Sequence, residues 1–279
     1  MESIKRIAAI NDLSGGSRCS LTVALPIISA LGIQCCVMPT AILSNHTGYE
    51  EFFFEDFAEQ MNEFAHNWKK MDLKFDCIYT GFLGSHKQVE TVRRFIADFK
   101  TPITKVVVDP VMGDNGKIYS TYSDELCRDM KKLVSCADIV TPNITEACVL
   151  SQTDYNGETL PEEKLFEMAQ KISALGAKNV IITGHRAKSE VSNFVYSNGV
   201  YKSFATRVVP KYFSGTGDVF ASLISGLTCL GYDVFKSTEI AADFVYRCAS
   251  MSYALGLHVN DGICFEKCLG DLSKLGGEC

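Results

Sequence analysis

The chain has 279 residues, of which 47% are hydrophobic and 22% charged, which is the composition of an ordinary globular protein rather than a disordered or fibrous one. Its formal net charge of −6, without any basic block, gives no sign of a nucleic-acid partner. No apolar run approaches the ~18 residues of a membrane span, and Ile7–Ile10 is too short for a secretory signal. We therefore expect a cytoplasmic protein that binds neither membranes nor nucleic acids.

The chain contains twelve cysteines, and no two of them have the Cys-x-x-Cys spacing of a zinc or redox site. Cys264 and Cys268 lie one helical turn apart, but no second ligand pair is close in sequence. Most of these residues are therefore expected to be buried free thiols in a reducing compartment.

Short β-branched runs alternate with longer amphipathic stretches as far as Thr183. The predicted strands are Ile7–Ile10, Cys35–Pro39, Cys77–Thr80, Val106–Asp109, Ile139–Thr141 and Val180–Thr183. The predicted helices lie near Arg18–Leu31, Asp56–Met71, Lys87–Phe99, Asp124–Val134, Ile144–Leu150 and Pro161–Leu175. This alternation predicts a mostly parallel sheet covered by helices on both faces, in one α/β domain over residues 1–279.

The pattern changes after Thr183. Two β-rich runs, Asn193–Tyr196 and Val200–Phe204, flank Asn198-Gly199, a pair suited to a tight hairpin turn. Three further helices are predicted, at Asp218–Leu230, Lys236–Leu255 and Gly262–Leu275.

The segment Ser214–Asp218 lies directly before a predicted helix. Its glycines, Gly215 and Gly217, permit a turn that directs consecutive backbone N–H groups, including that of Thr216, towards one point at the positive end of the helix. Such a site would stabilise a phosphoryl group during transfer, and an ionised Asp218 could accept a proton from a substrate hydroxyl. The same residues could equally form a simple glycine-rich turn with an Asp N-cap.

Two further polar clusters close neighbouring predicted strands, Asp109–Asp114 and Thr141–Glu146. Ligands of open α/β sheets bind beyond the carboxyl ends of the strands, where these clusters lie. Asp109, Asn143 and Glu146 would bring oxygen atoms together there, as Mg²⁺ on ATP phosphates requires. A turn at Asn143 and an acidic first helical turn at Glu146 are the structural alternatives.

These three segments occur in the order and approximate spacing of the ribokinase-like (PfkB) vitamin kinases. The segments Ser44–Tyr49 and Thr80–Ser85 further resemble the substrate pocket of the pyridoxal kinases. The resemblance extends from about Ile7 to Leu257 and implies a three-layer α/β/α sandwich. Only about two dozen residues separate Ile10 from Cys35, which leaves no room for the β-lid of the sugar kinases.

The resemblance implies a role for each of these residues. Asp218 would be the catalytic base, and the Gly215-Thr216-Gly217 amides would form the anion hole. Asn143, Glu146, Thr183 and Thr216 would bind the nucleotide, with Asp109, Asn143 and Glu146 around Mg²⁺. Asn11, Asp12, His46, Thr47 and Phe82 would contact the substrate, with Phe82 stacking on its ring. A structural turn at His46 and Thr47, and a core position for Phe82, are the alternatives.

The implied reaction is ATP-dependent phosphorylation of the 5′-hydroxymethyl group of pyridoxal, pyridoxamine or pyridoxine by a homodimer, with a monovalent-cation requirement left open. The run Ser14-Gly15-Gly16 instead resembles the hydroxymethylpyrimidine kinases, which gives a second candidate. A catalytically silent nucleotide- or vitamin-binding protein is a third. Asp12, as a buried carboxylate, favours a substrate that carries an amine, unless it turns away to cap the helix near Arg18.

Overall fold

A computed structural model describes residues 4–119, 121–157 and 159–276 of the chain. Nine strands form the central sheet: β1 (Arg6–Ser14), β2 (Gln34–Leu43), β3 (Phe54–Asp56), β4 (Cys77–Thr80), β5 (Lys105–Val108), β8 (Ile139–Val140), β9 (Asn179–Ala187), β10 (Glu190–Ser197) and β11 (Val200–Arg207). Two short strands, β6 (Gly113–Asp114) and β7 (Lys117–Ile118), form a separate hairpin.

Eight α-helices cover the sheet in the described ranges. They are α1 (Leu21–Ala30), α2 (Ala58–Lys70), α3 (His86–Phe99), α4 (Asp124–Val134), α5 (Ile144–Ser151), α6 (Glu162–Ser173), α7 (Thr216–Cys229) and α8 (Val234–Ala254). None of the helices in this part of the chain is long and apolar enough to cross a membrane.

The strand order is β11-β10-β9-β8-β5-β4-β1-β2-β3. The six strands from β9 to β2 in this order are parallel, and antiparallel pairs extend the sheet at both edges. The protein is thus a three-layer α/β/α sandwich with a mostly parallel sheet, as predicted. Only α1 and its flanking turns connect β1 to β2, so this connection carries no lid strands.

Successive residues of β1 point to opposite faces of the sheet and enter two different cores. Ala8 and Ile10 pack with α2 to α6, whereas Ile7 and Ala9 pack with α1, α7 and α8. All four side chains are fully buried. This burial explains why the central strands are apolar throughout rather than alternating, and it leaves polar side chains only at the strand ends.

The predicted strands and hairpin are confirmed, with the hairpin turn at positive φ for both Asn198 and Gly199. The predicted helix Gly262–Leu275 is wrong. Its apolar spacing is helical, but its local backbone bonds belong to separate turns, such as Cys268 N–H to the Phe265 carbonyl and Leu272 N–H to the Leu269 carbonyl. Ile263 N–H and Cys264 N–H bond to the Ser214 carbonyl and the Ser252 hydroxyl, and the segment contains one short 3₁₀ helix, Leu269–Asp271.

Candidate active site

A cavity of about 780 Å³ opens at the carboxyl ends of the parallel strands. It is bounded by the N-terminus of α7, the β6–β7 hairpin and the loop between β2 and β3. Every residue that the sequence predicted for the site lines it: Asn11, Asp12, His46, Thr47, Phe82, Asp109, Asn143, Glu146, Thr183, Gly215, Thr216, Gly217 and Asp218. The topology therefore brings the predicted nucleotide and substrate residues into one continuous space.

The turn before α7 depends on Gly215. This residue has φ 79° and ψ 1°, and a Cβ atom on it would lie 2.1 Å from the Arg18 carbonyl oxygen. No side chain caps the helix that begins at Thr216. Its first backbone N–H groups, which have no partner within the helix, are therefore available to an anion in the cavity.

Asp218 lies in the first turn of α7. Burial raises the pKa of its carboxyl group to about 7, and the nearby Asp12 carboxylate adds to this rise. The backbone N–H of Ser20 and the side-chain amide of Asn11, 3.4 Å from Asp218 Oδ1, oppose it. Burial therefore opposes the ionised form of Asp218 that the sequence analysis expected, while Ser20 and Asn11 favour it.

Asp109 follows β5 and is also buried. Its Oδ1 accepts a hydrogen bond from the Thr141 hydroxyl at 3.1 Å. Burial, together with the charge of Asp218, raises the pKa of Asp109 to about 7. Two carboxyl groups that repel each other in a buried space would both be stabilised by a cation between or beside them.

Asn143 and Glu146 form a capping box at the start of α5. The Asn143 side-chain oxygen accepts from the Glu146 backbone N–H at 3.0 Å, and Glu146 Oε2 accepts from the Asn143 N–H at 2.9 Å. The Asn143 amide also donates to the Gly113 carbonyl at 2.8 Å, and Glu146 Oε1 accepts from Met112 N–H. Both side chains thus fix the loop after β5 in addition to lining the cavity.

The donor set at this end of the cavity suits Mg²⁺ that is held largely through phosphate oxygens and water. No three His, Cys, Asp or Glu side chains in the described residues are grouped to hold a metal by themselves. Asp109 keeps an oxygen free of the Thr141 bond, while both Glu146 oxygens already accept backbone hydrogen bonds. Asp109 is therefore better placed for direct coordination than Glu146 or Asn143, which fit an outer position.

Asn11 ends the apolar part of β1 and is fully buried. Its side-chain oxygen accepts from the backbone N–H of Phe82 at 2.8 Å and of Asp12 at 3.0 Å, while its amide faces Asp218. Asn11 therefore joins the ends of β1 and β4 and supports the carboxylate of Asp218. The Phe82 ring lines the cavity and meets Tyr122 edge-on, with 6.4 Å between ring centroids.

His46 is held within the loop between β2 and β3. Its Nδ1 accepts from the Gly48 N–H at 3.0 Å, so its Nε2 carries the proton and donates to the Asn260 carbonyl, also at 3.0 Å. The ring therefore braces this loop against the chain after α8, as the structural alternative for His46 anticipated. Thr47 is exposed at the cavity rim.

Asp12 does not lack hydrogen-bond donors. Its carboxylate accepts from the Ser20 hydroxyl at 2.5 Å and from the Ser14 hydroxyl at 2.7 Å. The premise of the amine preference, a carboxylate that only the substrate can satisfy, is therefore wrong. The capping alternative is wrong as well, because Asp12 binds the hydroxyl of the N-cap residue of α1 rather than a backbone N–H.

The phosphomethylpyrimidine kinase family model matches residues 22–262, most of the chain and nearly all of the elements described above. This chain belongs to that family. It is an ATP-dependent kinase that acts on an alcohol.

Relatives of this kinase include enzymes that are named for two different substrates. A hydroxymethylpyrimidine/phosphomethylpyrimidine kinase of Bacillus subtilis is 27% identical over 78% of this chain and 79% of its own. A pyridoxal kinase of Arabidopsis thaliana is 28% identical over 71% of this chain and 66% of its own. The bifunctional thiamine-biosynthetic enzyme TH1 of the same plant is 26% identical over 94% of this chain, but the kinase spans only half of that enzyme.

Solved structures similar to the kinase also carry both names. A proposed phosphomethylpyrimidine kinase of Bacteroides thetaiotaomicron, in a crystal form with pyridoxal, is 38% identical over 97% of this chain and 96% of its own, with a TM-score of 0.91. A pyridoxal kinase of Lactobacillus plantarum is 25% identical over 98% of both chains, with a TM-score of 0.90.

Two parts of the kinase site were missed from the sequence. The β6–β7 hairpin borders the cavity, and its turn at Asn115-Gly116, both at positive φ, was a recognisable signal. Tyr212 interacts with Asp114 of this hairpin and Thr216 of α7, and it lines the cavity. No sequence pattern marks Tyr212, because its interaction with Asp114 joins two segments that are far apart along the chain.

Proposed function

We propose that the kinase transfers the γ-phosphoryl group of ATP to the 5′-hydroxymethyl group of a vitamin B6 compound, with pyridoxal, pyridoxamine and pyridoxine as candidate acceptors. The observation that carries this proposal is the single cavity that Asp218 and the α7 N-terminus share with the Phe82 ring. Crystals of the 38% identical Bacteroides protein contain pyridoxal, which supports the same acceptor class for this chain.

In the proposed step, Asp218 accepts the proton of the acceptor hydroxyl. The hydroxyl oxygen forms a bond to the γ-phosphorus, the bond from that phosphorus to the β–γ bridging oxygen breaks, and ADP leaves with the electron pair. The N–H groups at Gly215, Thr216 and Gly217 stabilise the negative charge on the transferring group. Asp218 must be ionised to accept the proton, and its pKa of about 7 keeps it near the working range of a general base.

We also propose that Mg²⁺ accompanies ATP at Asp109, with Asn143 and Glu146 in outer positions and Thr183 beside the nucleotide. When bound, the ion neutralises phosphate charge. It would also lower the raised pKa values of Asp109 and Asp218 towards the ionised forms that catalysis needs. The chain's own part is to hold these carboxyl groups in fixed positions through Thr141, Asn11 and the α5 capping box.

Phosphorylation of hydroxymethylpyrimidine is the second candidate, and the family description and the Bacillus relative favour it. The Ser14-Gly15-Gly16 run adds little support. The backbone N–H groups of Gly15 and Gly16 bond to the carbonyls of Leu43 and Ser44, and a Cβ on Gly16 would lie 2.9 Å from the Ser44 oxygen. These glycines thus have a structural reason to be present whatever the substrate.

A coupled ADP-release assay on one purified preparation would decide between the candidates. The acceptors are pyridoxal, pyridoxamine, pyridoxine, hydroxymethylpyrimidine and its monophosphate, each with mass-spectrometric identification of the product. We expect the highest kcat/KM for a vitamin B6 compound. A kcat/KM for either pyrimidine that exceeds all three B6 values would replace the first proposal by the second, and no product at all would favour a silent binding protein.

Three further expectations stay predictions. Residues 1–279 should behave as one kinase domain in limited proteolysis, and light scattering should give the mass of a homodimer. A titration with K⁺ and Na⁺ at constant ionic strength would reveal a monovalent-cation requirement.

A further inference from the structure

Ser20 has an unusual backbone conformation beside the candidate base. Its φ of 52° and ψ of −129° lie in a region that residues with a side chain rarely adopt. Residues held in such regions persist only where the surrounding structure constrains them, and they concentrate at functional sites. Ser20 is buried and lines the cavity that also contains Asp218.

The hydroxyl of Ser20 is fixed by Asp12. It donates to Asp12 Oδ1 at 2.5 Å, while the other carboxylate oxygen accepts from Ser14 at 2.7 Å. Asp12 is itself 6% exposed and sits at the end of β1. The carboxylate therefore connects the sheet to the strained residue that precedes α1.

The backbone of Ser20 faces the candidate base. Its N–H is directed at the Asp218 carboxylate and favours the ionised form of that group. The same segment packs closely against the start of α7, since the Arg18 carbonyl would lie 2.1 Å from a Cβ on Gly215. A change in the backbone at Ser20 would thus be transmitted to Asp218 directly and through the turn before α7.

We infer that Asp12 and Ser20 are positioning residues for the catalytic base: the Asp12 carboxylate holds the Ser20 hydroxyl, and this bond keeps the Ser20 N–H directed at Asp218. The inference rests on the proposed phosphoryl transfer, in which Asp218 accepts the hydroxyl proton. It assigns the buried Asp12 to the orientation of the base rather than to recognition of a substrate amine.

Two substitutions at one position separate this role from ordinary packing. Ser20→Ala removes the hydroxyl but keeps the Cβ, so the backbone should relax and its N–H should turn away. Ser20→Gly also removes the hydroxyl, but glycine tolerates positive φ and should keep the N–H in place. We expect Ser20→Ala to lower kcat by about tenfold to hundredfold, with the KM for ATP and acceptor changed less than about threefold.

Ser20→Gly should recover most of the kcat that Ser20→Ala loses. Ser29→Ala, an exposed serine on the same helix, serves as the control. Equal kcat losses in Ser20→Ala and Ser20→Gly, or no loss in Ser20→Ala, would overturn the inference. Thermal unfolding of each variant identifies any loss of kcat that results only from lower stability of the fold.

Asp12→Ala, made in the wild type and in the Ser20→Gly background, gives an independent test that does not need Ser20→Ala to fold. If Asp12 acts through Ser20, its loss should lower kcat in the wild type and have a much smaller effect when residue 20 is glycine. If Asp12 instead binds an amine, Asp12→Ala should raise the KM for pyridoxamine equally in both backgrounds, and the inference fails.

Crystal structures of Ser20→Ala and Ser20→Gly test the geometry without reference to any substrate. We expect positive φ at residue 20, with its N–H still facing Asp218, only in the glycine variant. If the wild type phosphorylates none of the candidate acceptors, the proposed substrate is wrong, but this structural comparison still decides the positioning role. Retention of the wild-type backbone in Ser20→Ala would refute it.

Discussion

Glu146 accepts a hydrogen bond from the backbone N–H of Met112 at 3.1 Å, although the two residues belong to segments that follow different strands. The second carboxylate oxygen of Glu146 caps α5 through Asn143. One buried side chain thereby ties the loop after β5, which begins with Asp109, to the N-terminus of a helix. The position of Asp109 in the cavity consequently depends on the hydrogen bonds that Glu146 accepts.

Replacement of Glu146 should therefore affect both stability and the Mg²⁺ requirement. Glu146→Ala leaves the buried N–H of Met112 and the partly buried N–H of Asn143 without their acceptor, and the buried group alone costs about 1–3 kcal/mol. We expect a lower Tm and a higher Mg²⁺ concentration for half-maximal rate. Glu146→Gln, which keeps an acceptor oxygen but removes the charge, should recover part of the Tm and still shift the Mg²⁺ titration. An unchanged titration in both variants would show that Glu146 does not influence the metal.

Asp218→Asn should lose turnover without losing the fold. The amide cannot accept the hydroxyl proton, so we expect kcat to fall by about 10²–10⁴-fold. The KM for ATP should change little, because the N–H groups of α7 remain in place. Asp98→Asn, at an exposed carboxylate on α3 outside the cavity, provides the matched control. A well-folded Asp218→Asn enzyme with near-normal kcat would exclude Asp218 as the base.

The raised pKa of Asp109 predicts a pH-dependent stability of the ligand-free enzyme. Burial and the charge of Asp218 raise this pKa from 3.8 to about 7, so between these values the folded state binds a proton that the unfolded state releases. The stabilising contribution is fully present below pH 3.8 and is lost as the pH rises through about 7. Tm should accordingly fall as the pH rises from about 4 to about 7.

Asp109→Asn removes the titrating group and one source of repulsion for Asp218. The fall in Tm over this pH range should become shallower. At the upper pH, the free energy of unfolding of Asp109→Asn should exceed that of the wild type by about 1–3 kcal/mol. Asp98→Asn should leave the slope unchanged. A slope that is the same in the wild type and in Asp109→Asn would show that burial does not perturb this carboxyl group.

Much of the site could be predicted because it lies where parallel strands end. The apolar runs that identify β1, β5 and β8 also fix which polar residues follow them, and Asn11, Asp109 and Asn143 occupy those positions. The glycine pattern before α7 located Asp218 in the same way, since a backbone turn of this kind requires Gly215. These signals are local, and each depends on only a few adjacent residues.

The errors concern contacts that extend beyond a few adjacent residues. Asp12 was expected to need a hydrogen-bond donor from the substrate, but the Ser20 hydroxyl supplies one. Ser20 has a positive φ, which a serine in the sequence does not predict. The segment Gly262–Leu275 has helical apolar spacing, yet its N–H groups reach Ser214 and Ser252. Local periodicity contains no information about such tertiary contacts.

The two glycines of the turn before α7 should respond differently to alanine. At Gly215, φ is 79° and a Cβ would lie 2.1 Å from the Arg18 carbonyl, a backbone atom that cannot move aside cheaply. At Gly217 no atom lies within 4 Å of an added Cβ. We expect Gly215→Ala to lower stability by more than about 2 kcal/mol, through backbone strain and steric overlap. Gly217→Ala should retain nearly the wild-type Tm.

The kinetics of Gly217→Ala should differ from those of the wild type, although its stability should not. In Gly217→Ala the new methyl group sits at the helix terminus that faces the cavity, so the KM for ATP should rise or kcat should fall although the fold is intact. Denaturant unfolding and steady-state kinetics on the same preparations separate the two effects. A Gly217→Ala enzyme with wild-type kinetics would mean that the transferring phosphoryl group does not approach this terminus, and the anion-binding role of the turn would have to be abandoned.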